Sequence, residues 1–393
     1  MPLKTIRDFD PKSKRILLRV DFNVPIDENG EIQDDSRMIK ALPTILYLLE
    51  RGGRLIIMSH LGRPEGDVKE ELRLTKVAEH LSKLLKKPVQ KMNDCIGMEV
   101  ANTVATMRDG EIMMLENTRF YPGEEANDEQ FTHQLASLGD IYVNDGFGVS
   151  HRSHASTYGI ATILPAYAGF LIEKEILALE PLITNPEQPF TVIIGGAKIK
   201  DKIALIEQFI PKAKHILIGG GLANTFLAAL GKEVGHSLYE KDKLDLAKTL
   251  LEKTVTPDQI VLPTDIVTAK EISNNAETDC VSVDSVPSNT KILDIGPETI
   301  EAFSNIISTS KTILWNGPLG LTEYTPFQNG TRTKAHAVSE SKATTVIGGG
   351  DTSEVLKTLG FKEGDFSHVS TGGGASLEFL SGKKLPGIEI LST

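Results

Sequence analysis

Residues 345–355 read TVIGGGDTSEV, an apolar run that ends in three glycines and a carboxylate. Glycines let backbone N–H groups approach an anion, and a helix opening at this point would turn its positive end toward a phosphate. Asp351, with Glu354 three residues on, matches a capping box at such a helix start. The lysine of the pattern G-x-x-x-x-G-K-[ST] is missing here and throughout the chain, so a nucleotide held by this loop needs cations from elsewhere. FTVIIGGAKIKDKI supplies two, Lys198 and Lys202, four residues apart after a glycine pair and expected on one face of the next helix's first turns. Positive charge there opposes the helix dipole, which a bound anion would offset. Asp351 is then free to hold a divalent cation that bridges phosphates, the alternative being that it only caps the helix and the two lysines face solvent. GGGLANTF (219–226) and STGGGASLEF (370–379) add glycine runs that are either anion loops or plain tight turns. LWNGPLGLTEY (314–324) places Glu323 either against a ribose or in solvent.

A second chemistry is concentrated in the first half of the chain. Eleven of the twelve arginines lie at or before Arg152, although the net charge of the protein is −11. Arginine presents a rigid fork to carboxylate and phosphate, so this skew points to a small, strongly anionic ligand held by that half. Four stretches bring candidates: RVDFNVP (19–25), SHLGRP (59–64), LENTRF (115–120) and SHRSHAS (150–156). With Arg37 just beyond the first, they offer Arg37, His60, Arg63, Arg119 and Arg152, and Asp21 and Asn23 for hydroxyl groups. Taken singly, an arginine reads first as a surface charge or salt-bridge partner, and His60, His151 and His154 as capping or packing histidines. Recurrence at matching positions is what distinguishes them.

Those positions are the ends of short Ile-, Val- and Leu-rich runs that alternate with helix-like stretches. RILLRVDFNVP, GRLIIMSHLGRP, DIYVNDGFG, FTVIIGGAK, HILIGGGLANTF, QIVLPTDIV and KTILWNGPLG all follow the pattern. Near-continuous apolar strands separated by helices predict parallel sheets covered on both faces, hence an α/β fold. Ligands of open sheets bind beyond the carboxyl ends of the strands, where each of these runs turns polar. A helical pattern in GFLIEKEILALEPL, followed by three prolines in PLITNPEQPF expected to end it, marks a connector over residues 169–190 that could serve as a hinge.

Composition narrows the class. A length of 393 residues suggests two domains. The acidic balance argues against nonspecific nucleic-acid binding, and the start MPLKTIRDFD has no apolar signal region. No stretch is long and apolar enough to span a bilayer, and Cys95 and Cys280 lack metal-site or redox spacing. A cytoplasmic protein is expected. A dinucleotide oxidoreductase is disfavoured because no G-x-G-x-x-G follows the first strand.

Taken in order, RVDFNVP, SHLGRP, LENTRF, VNDGFGVSHRSHAS, GGAKIKDKI, GGGLANTF, WNGPLG, GGGDTSEV and STGGGASLEFL closely resemble the phosphoglycerate kinase family along essentially the whole chain. The resemblance implies two doubly wound parallel-sheet domains joined by a helix, with a cleft between them. It places a phosphoglycerate-binding domain at 1–168, the connecting helix and hinge at 169–190, a nucleotide-binding domain at 191–374, and a returning segment at 375–393. It also implies that Asp21, Asn23, Arg37, His60, Arg63, Arg119 and Arg152 bind 3-phosphoglycerate or 1,3-bisphosphoglycerate. Lys198, Lys202, Glu323, Gly349, Gly350, Asp351 and Thr352 would bind ADP or ATP, with Asp351 meeting Mg²⁺. The implied reaction is a reversible Mg²⁺-dependent phosphoryl transfer between 1,3-bisphosphoglycerate and ADP, and Arg37, Lys198 and Gly373 would serve the transfer itself. A monomeric, hinge-bending, glycolytic enzyme is the expectation, with a noncatalytic anion-binding protein of the same fold as the alternative. Thr322 stands where the family often has Phe.

Overall fold

The computed structural model describes residues 3–200 and 202–392. The chain divides into two compact units, Met1–Leu177 with Lys384–Thr393, and Ala178–Lys383.

Six short strands build the first unit: β1 (Arg15–Arg19), β2 (Arg54–Met58), β3 (Gln90–Lys91), β4 (Ile112–Met114), β5 (Ile141–Asn144) and β6 (Ala166–Ala168). They lie in the order β3-β4-β2-β1-β5-β6, and every neighbouring pair is parallel. Ile16, Leu17 and Leu18 are consecutive and fully buried, as a strand covered by helices on both faces requires. The helices Ser36–Glu50 and Thr75–Leu85 place Met38, Ala41, Ile45 and Leu48, and Val77, Ala78 and Leu81, on the core that holds Ile16, Leu18 and Ile57. Those intervals of three and four residues are one face of a helix. From β1 the chain runs to β2 on one side, and from β5 to β6 on the other. The crevice of this sheet therefore opens between the adjacent carboxyl ends of β1 and β5.

The second unit repeats the plan with β7 (Phe190–Ile194), β8 (His215–Ile218), β9 (Ile260–Val261), β13 (Thr312–Asn316), β14 (Thr344–Ile347) and β15 (His368–Val369). Their order is β15-β14-β13-β7-β8-β9, again all parallel, and the direction reverses between β7 and β13. Between β9 and β13 come β10 (Asp265–Ala269), β11 (Thr278–Ser282) and β12 (Lys291–Ile295), an antiparallel sheet over its own apolar cluster that includes Leu227, Val234 and Ile266. The sequence pattern did not predict this sheet. QIVLPTDIV reads as one strand, but Pro263 stands between β9 and β10, and the mostly exposed TDCVS of β11 carries no apolar run to mark it.

The connector is the helix Phe170–Thr184, and it departs from expectation at its end. Pro181 lies inside it rather than stopping it, and Asn185 N still donates to the Pro181 carbonyl at 3.0 Å. Proline removes only its own N–H, so the carbonyl released is that of Leu177, a residue 69% exposed, which water can satisfy. Among the described residues, no helix is long and apolar enough to cross a membrane.

Candidate active site

In the first unit the tails of β1, β2, β4 and β5 bring their polar side chains to one sheet edge. Arg37, in the first turn of the helix Ser36–Glu50, donates through Nη1 to Asp21 Oδ2 at 2.7 Å. Asn23 Oδ1 accepts from Gly62 N at 2.9 Å, which ties the β1 tail to the β2 tail. Arg119 donates through Nη1 to the Gly62 carbonyl at 2.9 Å and pairs with Glu125 at 3.0 Å. Arg152 Nε contacts His151 Nε2 at 3.2 Å. His60 and His154 are buried within this group. Burial, then the charges of Arg19, Arg119 and Arg37, push His60 well below the ordinary imidazole range. Burial, then Arg119, Arg152 and Arg19, push His154 down to about 3. Two neutral histidines thus sit among four guanidinium groups. Arg63 shares the β2 tail but is exposed.

Sequence reasoning missed Arg19, the last residue of β1, which is 1% exposed and contacts both Ser156 and His60. Its signal was present: an arginine closing an apolar strand is costly unless something holds it. Glu124 and Ser156, both buried, were missed as well.

The edge of the second sheet is built mainly from backbone. A Cβ on Gly195 would lie 1.9 Å from the Pro318 carbonyl oxygen, and one on Gly317 would lie 2.3 Å from the Gly195 carbonyl oxygen. Only glycine lets the tails of β7 and β13 approach this closely. Asn316 Nδ2 donates to the Gly348 carbonyl at 2.7 Å, and Lys202 Nζ reaches Asn316 Oδ1. Thr352, 2% exposed, accepts from Gly317 N at 2.7 Å and donates to the Gly348 carbonyl at 3.1 Å. Lys202, Asn316, Gly348 and Thr352 therefore form one connected group, with Gly349 next along the chain. Lys198 and Glu323 are exposed on the chain that follows β7 and β13, and Gly373 lies beyond β15 as the N-cap of the helix Gly374–Leu380.

Two expectations are corrected here. Lys198 and Lys202 do not share a helix face, because the helix Ile203–Phe209 starts only after Lys202, its N-cap residue. Ile199 is fully buried, and the N–H groups of Ile199 and Lys200 donate to Glu240 Oε2, which holds Lys198 in a loop. Asp351 and Glu354 form no capping box. The N-cap of the helix Gly350–Thr358 is Gly349, with φ +89°, and Asp351 lies exposed in the first turn. Its charge still faces the favourable end of the helix dipole. Among the described residues no cluster of three or more His, Cys, Asp or Glu is placed to hold a metal alone. One exposed carboxylate beside a glycine loop fits Mg²⁺ carried mainly by nucleotide phosphates.

One doubly wound unit is thus edged with arginine and the other with glycine, lysine and a single carboxylate, groups whose chemistry suits phosphate. The sequence profile of the phosphoglycerate kinase family matches residues 6–383. The phosphoglycerate kinase of Pelotomaculum thermopropionicum is 49% identical over 392 residues, covering 100% of this chain and 99% of that protein. The phosphoglycerate kinase structure from Coxiella burnetii aligns with a TM-score of 0.91 at 39% identity over 99% of each chain. That from Pyrococcus horikoshii aligns at 0.85 and 31% identity over 99% of this chain and 98% of its own. The chain belongs to the phosphoglycerate kinase family. Its reaction is the reversible transfer of a phosphoryl group between 1,3-bisphosphoglycerate and ADP, a phosphotransfer with a carboxyl group as acceptor.

Proposed function

We propose that the two units divide the substrates of this reaction, with 3-phosphoglycerate or its acyl phosphate on the arginine edge and ADP or ATP on the glycine edge. The observation that carries the reading is the convergence of Arg19, Arg37, Arg119 and Arg152 on His60 and His154. Like charges held together repel, and a multiply charged anion offsets that cost. Asp21 takes one of Arg37's five N–H donors and leaves others for a phosphoryl group. Asp21 and Asn23 suit the glycerate hydroxyl, and Arg63, Arg119 and Arg152 suit phosphate and carboxylate.

Phosphoryl transfer needs positioning and charge stabilisation more than covalent catalysis. Arg37 and Lys198 flank the moving group and neutralise its equatorial oxygens, with backbone N–H donors at Gly373 assisting. Lys202 and the N–H groups at Gly349, Gly350 and Thr352 hold the nucleotide phosphates, and Glu323 the ribose. Asp351 would hold Mg²⁺, which when bound supplies further neutralisation of phosphate charge. No general base is required, because the attacking atom is a carboxylate oxygen in one direction and a phosphate oxygen in the other. The enzyme acts as a monomer, each chain carrying both sets of residues, and bends about residues 169–190 during turnover.

A coupled assay tests the assignment: ATP, Mg²⁺ and 3-phosphoglycerate, with the 1,3-bisphosphoglycerate formed consumed by glyceraldehyde-phosphate dehydrogenase and NADH loss followed. Lys198→Ala and Arg37→Ala are expected to lower kcat at least about a hundredfold, with smaller changes in KM, as loss of transition-state contacts does. Near-normal turnover in either variant would remove that residue from the transfer step.

A further inference from the structure

Behind the arginine edge runs a buried chain of polar groups that substrate contact does not account for. Glu124, fully buried in the short helix Pro122–Ala126, accepts from Ser156 N at 3.0 Å, from Ser156 Oγ at 2.5 Å and from Thr118 Oγ1 at 3.3 Å. Ser156 Oγ accepts in turn from Arg19 Nε at 2.8 Å. Arg19 Nη1 donates to the Val20 carbonyl, and Nη2 approaches Nδ1 of His60 at 3.2 Å. A guanidinium group carries only donors and keeps its charge, so Nδ1 of His60 must offer its lone pair. The ring proton then belongs on Nε2.

The chain also explains how Arg19 is tolerated. A cation buried to 1% exposure needs a compensating negative charge, and Glu124 supplies one at the distance of a single hydroxyl. Removing Ser156 Oγ would leave a buried carboxylate short of a donor and a buried guanidinium short of an acceptor.

We propose that Glu124 and Ser156 are positioning residues for substrate binding, holding Arg19 so that His60 keeps the Nε2–H tautomer and meets the substrate as a neutral donor. This rests on the assignment of His60 to the phosphoglycerate site. A neutral donor adds direction toward a hydroxyl or carboxylate oxygen without adding repulsion among Arg19, Arg37 and Arg119. The position of His60 well below the ordinary imidazole range agrees with that role.

The test uses the full chain labelled with ¹⁵N-histidine and long-range ¹H–¹⁵N correlation spectra without substrate, beside steady-state kinetics. In the wild type, Nδ1 of His60 is expected at the unprotonated shift and Nε2 at the protonated shift, unchanged between pH 8 and 5.5. Ser156→Ala should mix the tautomers and raise KM for 3-phosphoglycerate about tenfold with kcat within about threefold, the loss of one oriented hydrogen bond. Ser156→Thr, which keeps the hydroxyl, should restore both. A protonated Nδ1 in the wild type, or an unchanged tautomer in Ser156→Ala, overturns the proposal. Glu124→Gln is read in the same way should Ser156→Ala not fold. An unchanged KM in His60→Ala would overturn the substrate assignment instead, and the tautomer, measured without substrate, separates the two failures.

Discussion

Asp145, the first residue past β5, accepts from Leu171 N at 2.8 Å and so caps the helix Phe170–Thr184 from a fully buried position. Burial pushes its carboxyl up to about 7, against the opposing hydrogen bonds of Thr44, Leu171 and Ile172. The folded protein therefore holds this proton more tightly than the unfolded chain, whose carboxyl sits near 3.9. The stabilisation is full below about pH 4 and is lost as pH rises through about 7. His154 works in the opposite sense: its folded value of about 3 lies below the unfolded 6.5 or so, and stability falls as pH drops from that value toward 3. Asp145→Asn keeps an acceptor for the cap and removes the titration. Its melting temperature should fall less between pH 5 and 8 than that of the wild type, and parallel curves would mean that Asp145 ionises normally. At this scale Arg37, His60, Arg119 and Arg152 were legible in the sequence because each follows the end of an apolar run. Arg19, Glu124 and Ser156 were not, since their meaning lies in contacts among residues up to 137 positions apart.

The strands were the most legible elements, because parallel strands covered on both faces leave unbroken apolar runs such as RILLR and FTVII. Helix starts were read less well. The segment 198–202 has helical spacing on paper, but the burial of Ile199 and the Glu240 carboxylate, supplied from 40 residues away, override it. The three-strand sheet β11-β10-β12 escaped notice for a related reason, its exposed strand having no periodic signal. The element with the clearest consequence is the helix Gly350–Thr358, whose Thr352 joins the tails of β13 and β14. Thr352→Val preserves shape but leaves Gly317 N without its acceptor, a loss of about 1–3 kcal/mol by the usual cost of an unpaired buried donor. Denaturant unfolding should register that loss, and calorimetric titration should show ADP binding weakened about tenfold, on the order of 1.4 kcal/mol. Unchanged affinity would show that nucleotide binding does not depend on this link.

At the scale of the whole molecule, the proposed division of substrates requires ligands held by different units to meet during transfer, because a phosphoryl group passes only between ligands in contact, and closure on binding both is the expected means. Small-angle scattering with 3-phosphoglycerate and a nonhydrolysable ATP analogue with Mg²⁺ should give a smaller radius of gyration than either ligand alone. An unchanged radius would argue for transfer without such a movement. The first unit is closed by residues from both ends of the chain: Lys4 N donates to the Leu391 carbonyl at 3.2 Å, Gly387 N to the Ser150 carbonyl at 2.9 Å, and Asn144 Nδ2 to the Gly387 carbonyl at 3.0 Å. Residues 384–393 leave the ribosome only after all of 178–383 has been made. The unit whose synthesis begins first is thus the last to be completed. The loop that carries Arg152 gains its anchor only once Gly387 has been made, so a growing chain can complete its second unit while the first is still unsealed.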